Sequence, residues 1–219
     1  MKKTKREKQL IIITALIVAV IGLSIGFAAF ATNLVISSSA TVTPTSSDFG
    51  VKFSSSSTAV ETNQITPTLS GATADKATLD NSGTTPKITG LKANFSAPGQ
   101  SATYTFYVHN TGQYQAFLKS ITFENATGGN SPKVCTKVDA TATDNLISAA
   151  CEDINVNITV GSQNATGSMS GITNHSLAAK TGTEAVTVTI SYASNGDRAD
   201  GDFNVSFGDI KLAYSSTDA

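Results

Sequence analysis

Apolar and polar residues alternate along several short stretches of this chain, and this pattern predicts β-strands. A period of two places one set of side chains on a core and the other set in water. The clearest early stretch has Ala102, Tyr104, Phe106 and Val108 on one face and Thr103, Thr105, Tyr107 and His109 on the other. Pro98-Gly99 predicts a tight turn before this strand, and Asn110-Thr111-Gly112 predicts a hairpin turn after it.

The second half of the chain repeats this plan. Strands are predicted at 154–160, 186–192, 203–207 and 210–214. Between Tyr114 and Phe123 the apolar phase changes, which predicts a β-bulge near Lys119-Ser120. Apolar residues are sparse at 59–86, which predicts short strands with long loops, and 144–150 has the pattern of one helical turn. The expected fold is all-β, a jelly-roll-like antiparallel β-sandwich formed by residues 32–219 as one domain.

The N-terminal 31 residues have a different character. Residues 1–9 are basic, and Leu10 to Ala31 form an uncharged run that ends in the small-x-small site Ala29-Phe30-Ala31. This layout is typical of a secretory signal that is cut between Ala31 and Thr32. An uncharged run of this length can also stay as an uncleaved transmembrane helix. Either alternative places the remaining chain in the extracellular space or on the cell surface.

Charge argues against nucleic acid as a partner. Outside residues 1–9 the chain has 10 Lys and Arg against 15 Asp and Glu, a net charge of −5. Binding to phosphates requires a basic face, which this composition does not provide.

The chain has two cysteines, Cys135 and Cys151. In an exported domain they predict a disulfide, with free thiols as the alternative. Their spacing does not fit a zinc pair of the Cys-x-x-Cys kind.

Motifs of catalysis are not found in the sequence. His109 and His175 are the two histidines, and we expect both on the surface. No His-Glu-x-x-His motif occurs, and no Gly-x-Ser-x-Gly motif occurs outside the uncharged run from Leu10 to Ala31. Asp197, Asp200 and Asp202 form an acidic cluster that is either a solvated turn or a calcium site. We therefore expect a non-enzymatic protein without a cofactor.

Three stretches resemble exported proteins of the TasA and camelysin type, which are biofilm-matrix and surface proteins of Gram-positive bacteria. These stretches are Gly26–Ala31 running directly into a strand, Pro98–Gly112, and Ala116–Ile121. Val186–Tyr192 followed by Phe203–Tyr214 is similar to the closing strands of the same group.

The resemblance implies a jelly-roll sandwich, cleavage by a dedicated signal peptidase, and assembly into fibres with copies of itself or related matrix subunits. It also implies that the strand after the signal, about residues 33–43, is donated to the next subunit. Leu34, Ile36, Ala40 and Val42 share one face of that strand. Two other hypotheses stay open: a monomeric surface module tethered by an uncleaved helix, and a secreted hydrolase of the camelysin type.

Overall fold

The computed structural model describes residues 15–16, 49–59, 63–83, 85–166 and 171–217. Chain contacts divide the molecule into Met1–Thr43 and Pro44–Ala219. In the first unit the described residues Ala15 and Leu16 are helical. All elements below belong to the second unit.

The second unit consists mainly of β-strands. In chain order these are β1 (Val51–Ser54), β2 (Gln64–Ile65), β3 (Thr68–Ser70), β4 (Thr73–Ala74), β5 (Ala77–Asp80), β6 (Lys87–Thr89), β7 (Lys92–Phe95), β8 (Ser101–Asn110), β9 (Ala116–Phe123), β10 (Lys133–Lys137), β11 (Ile154–Val160), β12 (Gln163–Thr166), β13 (Ser176–Leu177), β14 (Thr183–Tyr192), β15 (Phe203–Phe207) and β16 (Ile210–Ser215). Helix α1 (Asp144–Glu152) lies between β10 and β11. The all-β class is confirmed.

One layer is a sheet in the order β1-β8-β14-β11-β12, and β3 also pairs with β8. The ten-residue strands β8 and β14 form its centre and pair antiparallel from Ser101↔Ser191 to His109↔Thr183. These strands have the longest alternating patterns in the sequence, and their pairing is therefore the longest ladder described.

The facing layer consists of two sheets, ordered β10-β15-β7-β4 and β13-β9-β16-β6-β5-β2. The chain passes from one sheet to the other within the pairs β6–β7 and β15–β16. The Phe207 N–H donates to the Leu91 carbonyl at 2.9 Å where the two sheets meet. The two sheets thus form one bent layer.

The apolar face of each layer points into a shared core. Ala102, Tyr104, Phe106 and Val108 are fully buried, which confirms the predicted inner face of β8. Between the layers, the Tyr192 ring packs edge-on against Phe95 and Phe203, with centroids 6.1 and 5.6 Å away. Such contacts make the architecture a β-sandwich.

The predicted β-bulge in β9 is confirmed. Against β16, Ser120 pairs with Ala213 and Leu118 pairs with Tyr214, so Lys119 is the extra residue. The bulge turns both Leu118 and Ile121 to the core, although their positions have opposite parity.

Two local predictions are wrong. The turn at Asn110–Gly112 does not close a hairpin, because β8 and β9 belong to different sheets and the chain crosses between layers there. Helix α1 has nine residues rather than one turn. Its buried residues Ile147 and Ala150 gain their stability from tertiary packing, which local sequence does not report.

Candidate interaction surfaces

The residues assigned to export and strand donation lie outside the described part of the chain. These are Ala29, Ala31 and Thr32 at the cleavage region and Leu34, Ile36, Ala40 and Val42 of the donor strand. Among the residues that the structure describes, none of the helical segments has the length and hydropathy needed to cross a bilayer.

The chain enters the sandwich beside Thr111. The Thr111 N–H donates to the Gly50 carbonyl at 2.8 Å, and the Thr111 hydroxyl donates to the same oxygen at 3.2 Å. A Cβ at Gly50 would lie 2.8 Å from Thr111 Oγ1, so glycine allows this close approach. Gly50 and the start of β1 therefore lie at the end of the sandwich where β8 stops.

Strand β9 has an open edge. Its partner β13 pairs with Ala116 and Phe117, and the Leu118 N–H donates to the His175 carbonyl at 3.1 Å. From Lys119 to Phe123, no described strand pairs with this edge. An unpaired edge is a template for strand addition, and the bulge and lysine at position 119 are features that limit it.

Helix α1 closes the side of the sandwich next to β10. Cys135 of β10 and Cys151 of α1 form a disulfide with Cα atoms 6.0 Å apart, as the sequence predicts. Lys133 Nζ donates to the Ile154 carbonyl at 2.6 Å, and Lys137 Nζ pairs with Asp144 at 2.8 Å. Burial lowers the pKa of Lys133. Three alternate residues of β10 thus fasten the helix at both of its ends.

The three aspartates proposed as a calcium site do not converge. Both Asp200 carboxylate oxygens accept the Thr143 N–H at 3.0 Å, at the start of α1. The Asp197 N–H instead donates to Asp153, and the Asp202 carbonyl accepts from Val138. In the described residues no three His, Cys, Asp or Glu side chains are placed to hold a metal ion.

His109 does not face water, contrary to the sequence analysis. It is 8% exposed because the residues after β1 fold over it. Its Nε2 lies 2.7 Å from the Ser56 carbonyl and its Nδ1 lies 3.1 Å from the Thr183 hydroxyl. The ring therefore bridges the loop, through Nε2, and the neighbouring strand β14, through Nδ1.

His175 is also partly buried rather than fully on the surface. Its ring packs edge-on against Tyr214 with centroids 6.4 Å apart. His175 Nε2 and Tyr214 Oη are both buried and have no hydrogen-bond partner among the described residues. Burial lowers the pKa of His175, which the charge of Glu184 partly opposes, and burial raises the pKa of Tyr214.

The outer face of the first layer is a regular polar grid. It has three rows of paired residues, which we name the threonine face: Thr105–Thr187–Thr159, Thr103–Thr189–Asn157 and Ser101–Ser191–Asn155. All nine side chains are partly or fully exposed, and none carries a charge. The Thr103 and Thr189 hydroxyls lie 3.2 Å apart. Alternation predicts outward residues on each strand, but only the register aligns them into rows.

The opposite layer has a charged outer surface. Lys87 pairs with Asp209 at 2.7 Å and with Asp80 at 3.8 Å, and Lys211 pairs with Glu124. The hydrogen bond to Asp209 raises the pKa of Lys87. The two outer faces of the sandwich therefore differ sharply in charge.

Comparison with known proteins gives no relative from which a function could be transferred. No family model, curated protein or solved structure matches this chain.

Proposed function

We propose that this chain is an exported, non-enzymatic structural or adhesive subunit that assembles with copies of itself or with related matrix subunits. Its sandwich is jelly-roll-like and follows an N-terminal signal or anchor helix. The donor is the strand at about 33–43, which leaves one subunit and pairs with an open sheet edge of the next.

The open edge of β9 is the observation that carries this proposal. On the side of β9 that faces away from β16, the five residues from Lys119 to Phe123 have no strand partner in the described part of the chain. Strand addition at such an edge forms main-chain hydrogen bonds, and pockets for alternate side chains provide specificity. We therefore propose β9 as the acceptor strand.

The donor segment has the composition that this role requires. Leu34, Ile36, Ala40 and Val42 alternate with Val35, Ser37 and Thr41. Burial of each large apolar side chain contributes about 1.5–3 kcal/mol. Three such side chains, with the smaller Ala40 on the same face, favour a groove over water, whereas the other face tolerates polar residues.

Electron microscopy of the purified, processed protein tests the proposal, together with sequencing of its N-terminus. We expect filaments, and we expect the N-terminal residue of the processed protein to be Thr32. Deletion of residues 32–43 leaves a folded protein that forms no filaments. Filaments of normal yield from this deletion exclude donation by this strand, and a retained Met1 with no filaments favours the tethered monomer.

A pair of double variants separates the two faces of the donor strand. Leu34→Lys with Ile36→Lys places charges on the face that we expect in the groove, and filaments are lost. Val35→Lys with Ser37→Lys adds the same charge at neighbouring positions of the other face, and filaments persist. Equal loss in both variants indicates a general charge effect and contradicts the proposed alternation.

A further inference from the structure

We infer that the threonine face is a second self-association surface, which packs face to face against the threonine face of another copy. It lies on the first layer, away from the β9 edge of the facing layer. Pairing of two threonine faces does not depend on the proposed function. Only the repetition of this face along a filament rests on it.

Register makes the threonine face periodic. The three rows run straight across β8, β14 and β11. Neighbouring rows are about 7 Å apart along the strands, and neighbouring columns are about 4.8 Å apart. Two flanking strands extend the grid, with Thr68 beside Thr103 and Asn164 beside Thr159.

The chemistry of these side chains fits an identical partner. Hydroxyl and amide groups both donate and accept hydrogen bonds, so two copies of the face satisfy each other. Threonine methyl groups add apolar contacts between the sheets. A twofold interface uses the same patch on both subunits and requires such self-complementarity.

The distribution of charge over the chain also favours a second copy as the partner of the threonine face. The chain outside residues 1–9 has a net charge of −5, which opposes close approach of two copies at most surfaces. The nine residues of the threonine face carry no charge, while the opposite layer displays Lys87, Asp209, Lys211 and Glu124. Copies therefore approach with the least repulsion through the threonine face.

A flat sugar polymer is a poorer fit. Platforms for sugars and other flat ligands use exposed aromatic rings, and none of the nine residues is aromatic. Tyr107 lies beyond the first row, next to Ala185. We therefore assign the face to a second copy.

The size of the face sets the strength of the contact. The grid spans five strands and five residues along each strand, which corresponds to about 400 Å² per copy. A pair of copies would bury about 800 Å², which is less than the roughly 1,200–2,000 Å² of a stable specific interface. A single pair is therefore weak, and repetition along two filaments makes the contact strong.

The test uses the full chain carrying Leu34→Lys and Ile36→Lys, so that strand donation does not contribute. Sedimentation equilibrium up to about 1 mM measures its association. In this parent we introduce Thr189→Lys at the centre of the grid or Asn157→Lys at an exposed position of the same row. Thr73→Lys, exposed on β4 of the facing layer, is the matched control.

Lysine is chosen because it makes the acidic chain less negative, so any loss of association is local to the face. We expect at least tenfold weaker association for Thr189→Lys and Asn157→Lys, and a change within twofold for Thr73→Lys. Circular dichroism checks that each variant is folded. If Thr189→Lys unfolds, Asn157→Lys still tests the inference.

Three results would overturn the inference. The first is association of both face variants at the strength of the parent, and the second is a parent that stays monomeric up to about 1 mM. The third is binding to crystalline cellulose that Thr189→Lys abolishes while self-association is unchanged. Failure of the wild-type chain to form filaments contradicts the proposed function but leaves this measurement intact.

Discussion

The Tyr104 hydroxyl lies 3.1 Å from the main-chain carbonyl oxygen of Lys92, on the opposite layer of the sandwich. The same hydroxyl lies 2.9 Å from the Asp75 carbonyl, so one proton is shared between two acceptors. Tyr104 is fully buried, and its ring crosses the core to reach them. A single side chain of the central strand thus fixes the position of β7 in the facing layer.

Replacement of Tyr104 by phenylalanine should destabilise the fold without emptying the core. The ring stays, but the Asp75 carbonyl loses this donor and the Lys92 carbonyl keeps the Asp75 N–H, and we expect a cost of about 1–3 kcal/mol. Urea unfolding followed by circular dichroism measures the loss. Tyr107→Phe, on the outward face of the same strand, is the control and should change stability by less than about 0.5 kcal/mol.

Tyr104 also predicts alkaline sensitivity. Burial raises its pKa from 10.0 to about 12. The protonated form is therefore favoured in the folded state, and its contribution to stability is present below pH 10 and is lost as pH rises from 10 to 12. Thermal unfolding across this window should show a smaller drop in Tm for Tyr104→Phe than for wild type. An identical drop in both proteins would assign the effect to other tyrosines.

Asn110 holds the corner where the chain leaves one layer for the other. Its amide donates to the carbonyls of Tyr114, Leu177 and Ala178 at 2.8–3.2 Å, and its side-chain oxygen accepts the Gly112 N–H. The residue is 1% exposed. Asn110→Ala removes all four hydrogen bonds, although the Ala178 carbonyl keeps the Gly182 N–H, and should cost about 2–4 kcal/mol.

The matched control for Asn110→Ala is Asn157→Ala, because Asn157 is exposed on a strand of the same layer. Its replacement should change the urea midpoint little. If both alanine variants have the same midpoint, the corner contacts do not stabilise the fold.

The disulfide should stabilise α1 more than the rest of the sandwich. Cys135 and Cys151 are 16 residues apart, and closing such a loop contributes about 3 kcal/mol. In the double variant Cys135→Ser, Cys151→Ser, hydrogen exchange should increase at 144–152 while β8 and β14 stay protected. Uniform loss of protection would show that the sandwich depends on this bond throughout.

Asp200 predicts acid sensitivity at the start of α1. Hydrogen bonds from the Thr143 hydroxyl and N–H lower its pKa below the usual 3.8. The ionised form is favoured on folding, so its contribution is present above pH 3.8 and is lost as pH falls further. Asp200→Asn should flatten this part of the acid unfolding curve followed by circular dichroism. Asp202→Asn serves as the control, because Asp202 accepts the Val138 N–H through its main-chain carbonyl, which the substitution retains.

Much of the strand content could be predicted from alternation alone. The inner face of β8 and the bulge at Lys119 both follow from local apolar spacing, because side chains of a strand alternate whatever their neighbours are. The pairing of Cys135 with Cys151 follows from counting two cysteines in a chain that the sequence predicts to be exported.

Other features depend on residues far apart in the sequence. His109 has the outward parity of its strand, yet the loop after β1 covers it through the Ser56 carbonyl. The chain after Asn110 looks like a hairpin turn, but the carbonyls that bind its side chain come partly from residues 177 and 178. Turn residues favour a change of direction, and tertiary contacts select the strand that follows.

The threonine face also combines features set by local sequence with features set by tertiary structure. The sequence by itself determined which side chains of β8, β14 and β11 point outward, because that depends only on the period of each strand. Only the tertiary structure decided that Thr103, Thr189 and Asn157 stand in one row, since register arises from pairing between strands. A surface made of rows across strands is therefore a property of the folded sheet.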